Sequence, residues 1–143
     1  MGASFAAALR TRRPDIEVVG SDRDPVVVVT ALERGLIAQP NVDGADVLFV
    51  CVPPGAMQAV LRQLPRGVLI SDMASTKVSV CEWASEAGLD FVGGHPMCGR
   101  EQVGIQAADP GLFEGAPWIL TTESSAIEEL VRAVGARPVV MDP

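Results

Sequence analysis

The chain has 143 residues, of which 48% are hydrophobic and 20% charged, and its formal net charge is −7. This composition favours one folded domain with a substantial core and excludes an intrinsically disordered chain. The acidic balance argues against a nucleic-acid partner, because no basic surface is available for phosphates, and the longest apolar run, VLFVCV, is too short to span a membrane.

The first residues and the cysteines indicate the cellular compartment. MGASFAAAL is not typical of a secretory signal, because the positive charges of TRR follow the apolar stretch instead of preceding it. Cys51, Cys81 and Cys98 are widely spaced, no CxxC occurs, and the chain has one histidine. We therefore predict a cytoplasmic protein with reduced thiols, no disulfide framework and no metal site.

Helical patterns alternate with apolar runs along the chain. The continuous apolar runs are typical of strands covered on both faces, and so of a mostly parallel sheet. Strand–helix alternation predicts an α/β fold with a doubly wound sheet. The predicted helices are 2–12, 24–34, 55–63, 76–87 and 124–135, and the predicted strands are 16–22, 45–53, 67–73, 91–96, 117–122 and 137–142.

The segment DPVVVVTALERG carries two conflicting signals. Four consecutive valines favour a strand by propensity. Asp24 suits a helix N-cap, Pro25 suits the first turn, and Gly35 suits a helix stop. We predict a helix here.

The first residues are arranged like the second half of a dinucleotide-binding turn. Such a turn joins glycines to a helix, and an acid ends the next strand about 20 residues later. Gly2 is followed by an alanine-rich helix, and Asp22 ends the run IEVVGSD. The chain thus reads as if it begins at the last glycine of a GxGxxG turn, without the usual first strand. The alternative is an ordinary N-terminal helix followed by a strand and a polar turn.

Asp22 also indicates which dinucleotide the site would prefer. A carboxylate there would accept hydrogen bonds from the adenosine ribose and would repel a 2′-phosphate, which favours NAD over NADP. Arg23 weakens this preference because it can pair with a phosphate, so NADP stays an alternative.

His95, the only histidine, follows a short strand in FVGGHPMCGRE. Ligands of open parallel sheets bind at the carboxyl ends of strands. Gly93 and Gly94 allow the backbone to approach a ligand closely, and an imidazole can take a proton near neutral pH. We predict an acid–base role for His95; the alternative is a histidine that merely lies at a loop tip.

A second polar cluster, SDMASTK, also follows a predicted strand. Ser75 is a candidate site residue in this cluster, although Ser75 and Thr76 would equally suit an N-cap of the helix 76–87. Lys77 lies in the first helical turn, where the helix dipole disfavours a cation. Its place at the sheet edge makes it a candidate for binding an anion.

The order of these motifs resembles the prephenate dehydrogenase family, which includes arogenate and cyclohexadienyl dehydrogenases. The resemblance covers nearly the whole chain and is most specific in GGHPMCGRE followed by LFEGAPWILT. It implies that residues 1–143 form a partial NAD(P)-binding domain of Rossmann type. The other matching segments are GASFAAALRTRRPDIEVVGSDRDP, VLFVCVPPGAM, LISDMASTKVSV and VRAVGARPVVMDP.

The resemblance also implies a reaction, the oxidative decarboxylation of prephenate or arogenate in tyrosine biosynthesis. His95 would draw the proton from the ring hydroxyl, and Ser75 would orient His95 or that hydroxyl. Glu101, Lys77 and Gly94 would lie on the substrate side. The residues expected on the cofactor side are Gly2, Ser4, Asp22, Arg23, Val52 and Pro53.

The chain departs from the family pattern at both ends. A strand and glycine turn usually precede this region, and a helical domain that forms the homodimer usually follows it. We therefore expect the isolated chain to be incomplete and unable to turn over prephenate. The alternatives are another Rossmann-fold hydroxyacid or imine dehydrogenase, and a non-catalytic nucleotide-binding remnant.

Overall fold

The computed structural model describes residues 1–99 and 104–142. All five predicted helices are confirmed, with ends that differ from the prediction by two residues at most. No helix in these two segments is long and apolar enough to cross a bilayer. The helices are α1 (Gly2–Arg12), α2 (Pro25–Glu33), α3 (Pro54–Leu61), α4 (Val78–Glu86) and α5 (Ser125–Ala133).

The strands of the described residues form two three-stranded sheets. In the first, the order is β1-β2-β3 and both pairs are parallel; in the second, the order is β4-β5-β6, with β4 antiparallel to β5 and β5 parallel to β6. The α/β class with mostly parallel strands is confirmed. The strands are β1 (Val47–Val50), β2 (Leu69–Asp72), β3 (Asp90–Val92), β4 (Gly94–Pro96), β5 (Pro117–Leu120) and β6 (Arg137–Val140).

The single strand predicted over 91–96 is two strands, which divide at Gly93. The Gly93 N–H donates to Thr121 Oγ1, and the Gly93 carbonyl accepts from the Thr121 N–H, both at 2.9 Å. The chain therefore changes partner here, from β2 on one side to β5 on the other. This exchange carries His95 into the second sheet, opposite Ile119.

The strand predicted over 16–22 is wrong, because this segment joins no strand ladder. Its hydrogen bonds go to a loop instead: the Ala38 N–H donates to the Val18 carbonyl at 2.8 Å, and the Gly20 N–H donates to the Gln39 carbonyl at 3.2 Å. Among the described strands, β1 pairs with β2 alone. A β-branched run becomes a strand only beside a partner whose backbone completes the ladder.

Capping decides the conformation of the valine-rich segment in favour of a helix. Asp24 is the N-cap of α2, and its Oδ1 accepts from the Val26 N–H at 2.9 Å. Pro25 occupies the first turn, where its missing N–H costs no hydrogen bond. The valines are not all buried, since Val26 is 69% exposed.

We expect Asp24→Ala to lower the free energy of unfolding by about 1 kcal/mol, because the first-turn amide loses its acceptor. Urea denaturation measures the change. Asp46→Ala is the matched control, since Asp46 is an exposed aspartate just before β1. Equal losses in the two variants would contradict a capping role for Asp24.

Helices cover both faces of the first sheet. Alternate residues of β1 point to opposite sides: Phe49 packs in a cluster with α1 and α5, and Leu48 packs in a cluster with α3 and α4. This two-sided burial explains the continuous apolar strands of the sequence. Fully or almost fully buried members are Phe113, Trp118, Ile127 and Val131 in the first cluster, and Met57, Leu61, Ile70 and Val80 in the second.

Candidate functional site

The amino end of α1 lies against the carboxyl end of β1. A Cβ built on Gly2 would stand 3.0 Å from Cys51 Cβ and 3.3 Å from Cys51 Sγ, so a larger residue would displace Cys51. This close approach of helix to strand is the role of the third glycine in a dinucleotide-binding turn. The packing therefore requires a small residue at position 2, and cofactor binding by Gly2 stays a prediction.

The first turn of α1 also has donors that suit an anion. Met1 caps the helix without a side-chain hydrogen bond, and the first helical bond runs from the Phe5 N–H to the Met1 carbonyl at 3.0 Å. The preceding amides have no acceptor within the helix. Such amides, together with the positive end of the helix dipole, form a suitable cradle for a phosphate.

Two other predicted cofactor residues also flank this edge. Val52 is half-buried just after β1, and Pro53 is the exposed N-cap of α3. Ser4 is only 4% exposed, and its Oγ accepts from the Asp109 N–H at 3.1 Å, which ties α1 to the segment before β5.

The predicted ribose-binding residues lie just before α2. Asp22 and Arg23 are both exposed. Asp22 Oδ1 accepts from the Asp24 N–H at 2.9 Å, so the carboxylate is part of the turn that starts α2. An exposed, oriented carboxylate suits an acceptor for ribose hydroxyls.

His95 is half-buried on β4. Within residues 1–99 and 104–142, nothing forms a hydrogen bond with its imidazole. Burial lowers its pKa below the ordinary value of 6.5, and the positive charge of Lys77 lowers it further, while Asp72 acts in the opposite direction. The imidazole is therefore mostly neutral at pH 7 and available as a base.

Asp72 lies at the centre of this site and was not predicted from the sequence. It ends β2 and is fully buried. Its Oδ1 accepts from the Gly94 N–H and its Oδ2 from the Ala74 N–H, each at 2.9 Å. The available signal was a carboxylate that ends an apolar strand five residues before a lysine.

Lys77 forms a buried ion pair with Asp72. Its Nζ lies 2.5 Å from both carboxylate oxygens and donates to the Gly94 carbonyl at 2.7 Å. Its side chain is 10% exposed. Burial lowers the pKa of Lys77, and the neighbouring carboxylate opposes this effect.

Ser75 and Thr76 are exposed and do not cap α4. The N-cap of that helix is Lys77, and no side chain supplies a capping bond. The capping alternative is therefore wrong for these two residues. Glu101, expected on the substrate side, lies outside the described residues.

Gly94 is enclosed by three groups. A Cβ built there would stand 2.4 Å from the Asp72 carbonyl oxygen, 2.9 Å from Ser71 Oγ and 3.0 Å from Trp118 Nε1. The last two atoms are buried and lack a hydrogen-bond partner among the described residues. Glycine is required here for space, so its place beside the site follows from packing as well as from chemistry.

Comparison with known proteins gives consistent results. The family model for the prephenate dehydrogenase nucleotide-binding domain matches residues 5–140. Prephenate dehydrogenase of Lactococcus lactis is 34% identical over 156 aligned positions, which cover 99% of this chain and 44% of that protein. The chain thus spans under half the length of this relative.

Two solved structures have a similar fold over nearly the whole chain. Synechocystis arogenate dehydrogenase superposes with a TM-score of 0.87 at 26% identity, over 99% of this chain and 56% of that one. Prephenate dehydrogenase of Aquifex aeolicus, in complex with hydroxyphenyl propionate and NAD+, superposes with a TM-score of 0.88 at 24% identity, with the same two coverages.

Proposed function

This chain belongs to the prephenate dehydrogenase family, whose nucleotide-binding domain it matches, and we propose that it serves NAD-dependent oxidative decarboxylation of prephenate or arogenate. One observation carries the proposal: a half-buried histidine directly follows a glycine bonded to the end of β2, on the edge of the sheet where α1 begins against the end of β1. The family match favours this function over a hydroxyacid or imine dehydrogenase.

The residues at the amino end of α1 are suited to bind NAD. The first-turn amides would donate hydrogen bonds to the pyrophosphate, and Gly2 keeps that end close to β1. Asp22 and Arg23 would lie along the adenosine ribose, and Val52 and Pro53 would lie along a ribose of the cofactor. When bound, NAD supplies the acceptor for the hydride that leaves the substrate.

His95 would act on the substrate as a general base. The neutral imidazole would accept the proton of the ring hydroxyl as the hydride departs, and the carboxylate would be lost as carbon dioxide while the electron pair of its bond stays in the ring. Ser75 is exposed next to this edge and would orient the imidazole or the hydroxyl. Gly94 and Glu101 would border the substrate. Substrate binding by Lys77 stays a prediction. Its ammonium already donates to three acceptors within the protein.

The assembled protein would be a cytoplasmic homodimer, as the resemblance implies. Residues 1–143 would form one NAD(P)-binding domain. Light scattering of the full-length protein would test the dimer.

Calorimetric titration of the folded chain with NAD and, separately, NADP tests the cofactor assignment. We expect saturable binding with NAD preferred, and circular dichroism confirms that the sample is folded. A folded chain that binds neither would favour a non-catalytic remnant. For the full-length protein, NADH formation that depends on prephenate or arogenate tests the reaction, and activity on a hydroxyacid alone would contradict it.

We expect Asp22→Ala to weaken NAD binding about 10-fold, because a hydrogen bond to a charged group contributes roughly 1.5 kcal/mol or more. The same variant should narrow the preference for NAD over NADP, since the repulsion of a 2′-phosphate is removed. Asp46→Ala makes the same charge change before β1, at the opposite edge of the sheet, and should leave both affinities unchanged. An unaltered NAD affinity in Asp22→Ala would refute ribose binding by Asp22.

A further inference from the structure

We propose that Asp72, paired with Lys77, is a positioning residue that fixes both candidate catalytic residues, His95 and Ser75, through the backbone. The inference rests on the proposed function for the importance of those two residues. The geometry that carries it stands independently of that function.

The Asp72 carboxylate bonds to both segments that carry the candidate catalytic residues. Asp72 Oδ1 accepts from the Gly94 N–H, and Gly94 immediately precedes His95. Asp72 Oδ2 accepts from the Ala74 N–H, and Ala74 immediately precedes Ser75. Ser75 lies in the loop after β2 of the first sheet and His95 lies on β4 of the second sheet, so this buried group sets the distance between them.

Lys77 binds the carbonyl of Gly94, whereas Asp72 binds its N–H. Its Nζ donates to the Gly94 carbonyl at 2.7 Å, which belongs to the peptide unit that carries the His95 nitrogen. Its remaining contacts go to the two oxygens of Asp72. The ammonium thus has three acceptors within the protein, so its influence on the site runs through Gly94.

Stability alone does not explain a buried ion pair here. Asp72 is fully buried and the Lys77 side chain is 10% exposed. Apolar residues of similar volume often replace such pairs without loss of stability. They cannot, however, accept from two amides and donate to a carbonyl at once. The specific gain from the pair is therefore geometric.

The pair also sets the charge that His95 experiences. Among the described residues, Lys77 and Asp72 are the charged groups that act on its imidazole, in opposite directions, and its strand neighbour Ile119 is apolar. Neutralising Asp72 should therefore lower the pKa of His95, and neutralising Lys77 should raise it.

The test compares the parent chain with Asp72→Asn and with the double variant Asp72→Asn/Lys77→Gln. The double variant has no unpaired buried charge at this pair, so it can be measured if the single variant fails to fold. Glu128→Gln is the control, because it breaks the Glu128–Arg132 ion pair of α5, in which Arg132 is 60% exposed and Glu128 is 19% exposed. NMR follows amide exchange at Gly94 and Ala74. It also follows the imidazole titration, which is unambiguous because the chain has one histidine.

In a folded variant that lacks the Asp72 carboxylate, we expect exchange at Gly94 and Ala74 to accelerate about 10-fold or more. The titration midpoint of His95 should fall in the single variant, and the control should change neither amide exchange nor this midpoint.

In the active full-length enzyme, kcat should fall about 100-fold, while KM for NAD changes less than about 3-fold. Unchanged exchange in folded variants, or an unchanged kcat, would overturn the proposal. If the parent enzyme has no such activity, the proposed function fails, while exchange and titration still decide the geometry.

Discussion

The Gly94→Ala variant should lose about 3 kcal/mol or more of its unfolding free energy. The added methyl group would stand 2.4 Å from a backbone oxygen of Asp72, which cannot move without displacing the end of β2. It would also press on Ser71 Oγ and Trp118 Nε1, which are buried on the other sides. Urea denaturation followed by circular dichroism measures the loss.

Gly55→Ala is the matched control for this experiment. Gly55 lies in α3, and a Cβ built there meets nothing within 4 Å. Alanine has the higher helix propensity, so this variant should be as stable as the parent chain or more stable by up to about 1 kcal/mol. If Gly94→Ala is no less stable than Gly55→Ala, the described packing around Gly94 is incorrect.

The His95→Asn variant should reduce kcat of the full-length enzyme about 1,000-fold, within the range found when a general acid–base group is removed. Asparagine keeps a polar side chain of similar size but cannot take a proton near neutral pH. Because the imidazole is half-buried and forms no hydrogen bond in the described part of the chain, the stability of the variant should stay within about 0.5 kcal/mol of the parent.

The pH dependence provides the control for this prediction. The pKa of His95 is lowered, so its base form predominates above the ordinary value of 6.5 and is lost as the pH falls through the lowered pKa. The parent enzyme should therefore lose kcat/KM only on the acid side of pH 6.5, and His95→Asn should lack that limb. An unchanged limb in the variant, with NAD affinity equal to that of the parent, would assign it to another group.

Local signals were sufficient to predict the helices. Asp24 and Pro25 act within one turn of α2, and they outweighed the strand propensity of the valines that follow. The run 16–22 failed for the opposite reason. Its strand character depended on a neighbour elsewhere in the chain, which no local pattern specifies.

The sequence predicted some residues of the candidate site and not others. His95, Ser75 and Gly2 follow from strand ends and small residues, which a sequence displays directly. Asp72 was missed because its partner Gly94 is 22 residues away and is bonded through the backbone. Side-chain chemistry is visible in a sequence, whereas a buried carboxylate that organises amides becomes visible only in the folded chain.

The break at Gly93 has a consequence for ligand binding. Ser75 follows a strand of one sheet and His95 belongs to the other. A molecule that contacts both residues would join the two sheets across their junction. Its binding energy would then oppose separation of the two sheets. Substrate should therefore raise the melting temperature of this domain through thermodynamic linkage.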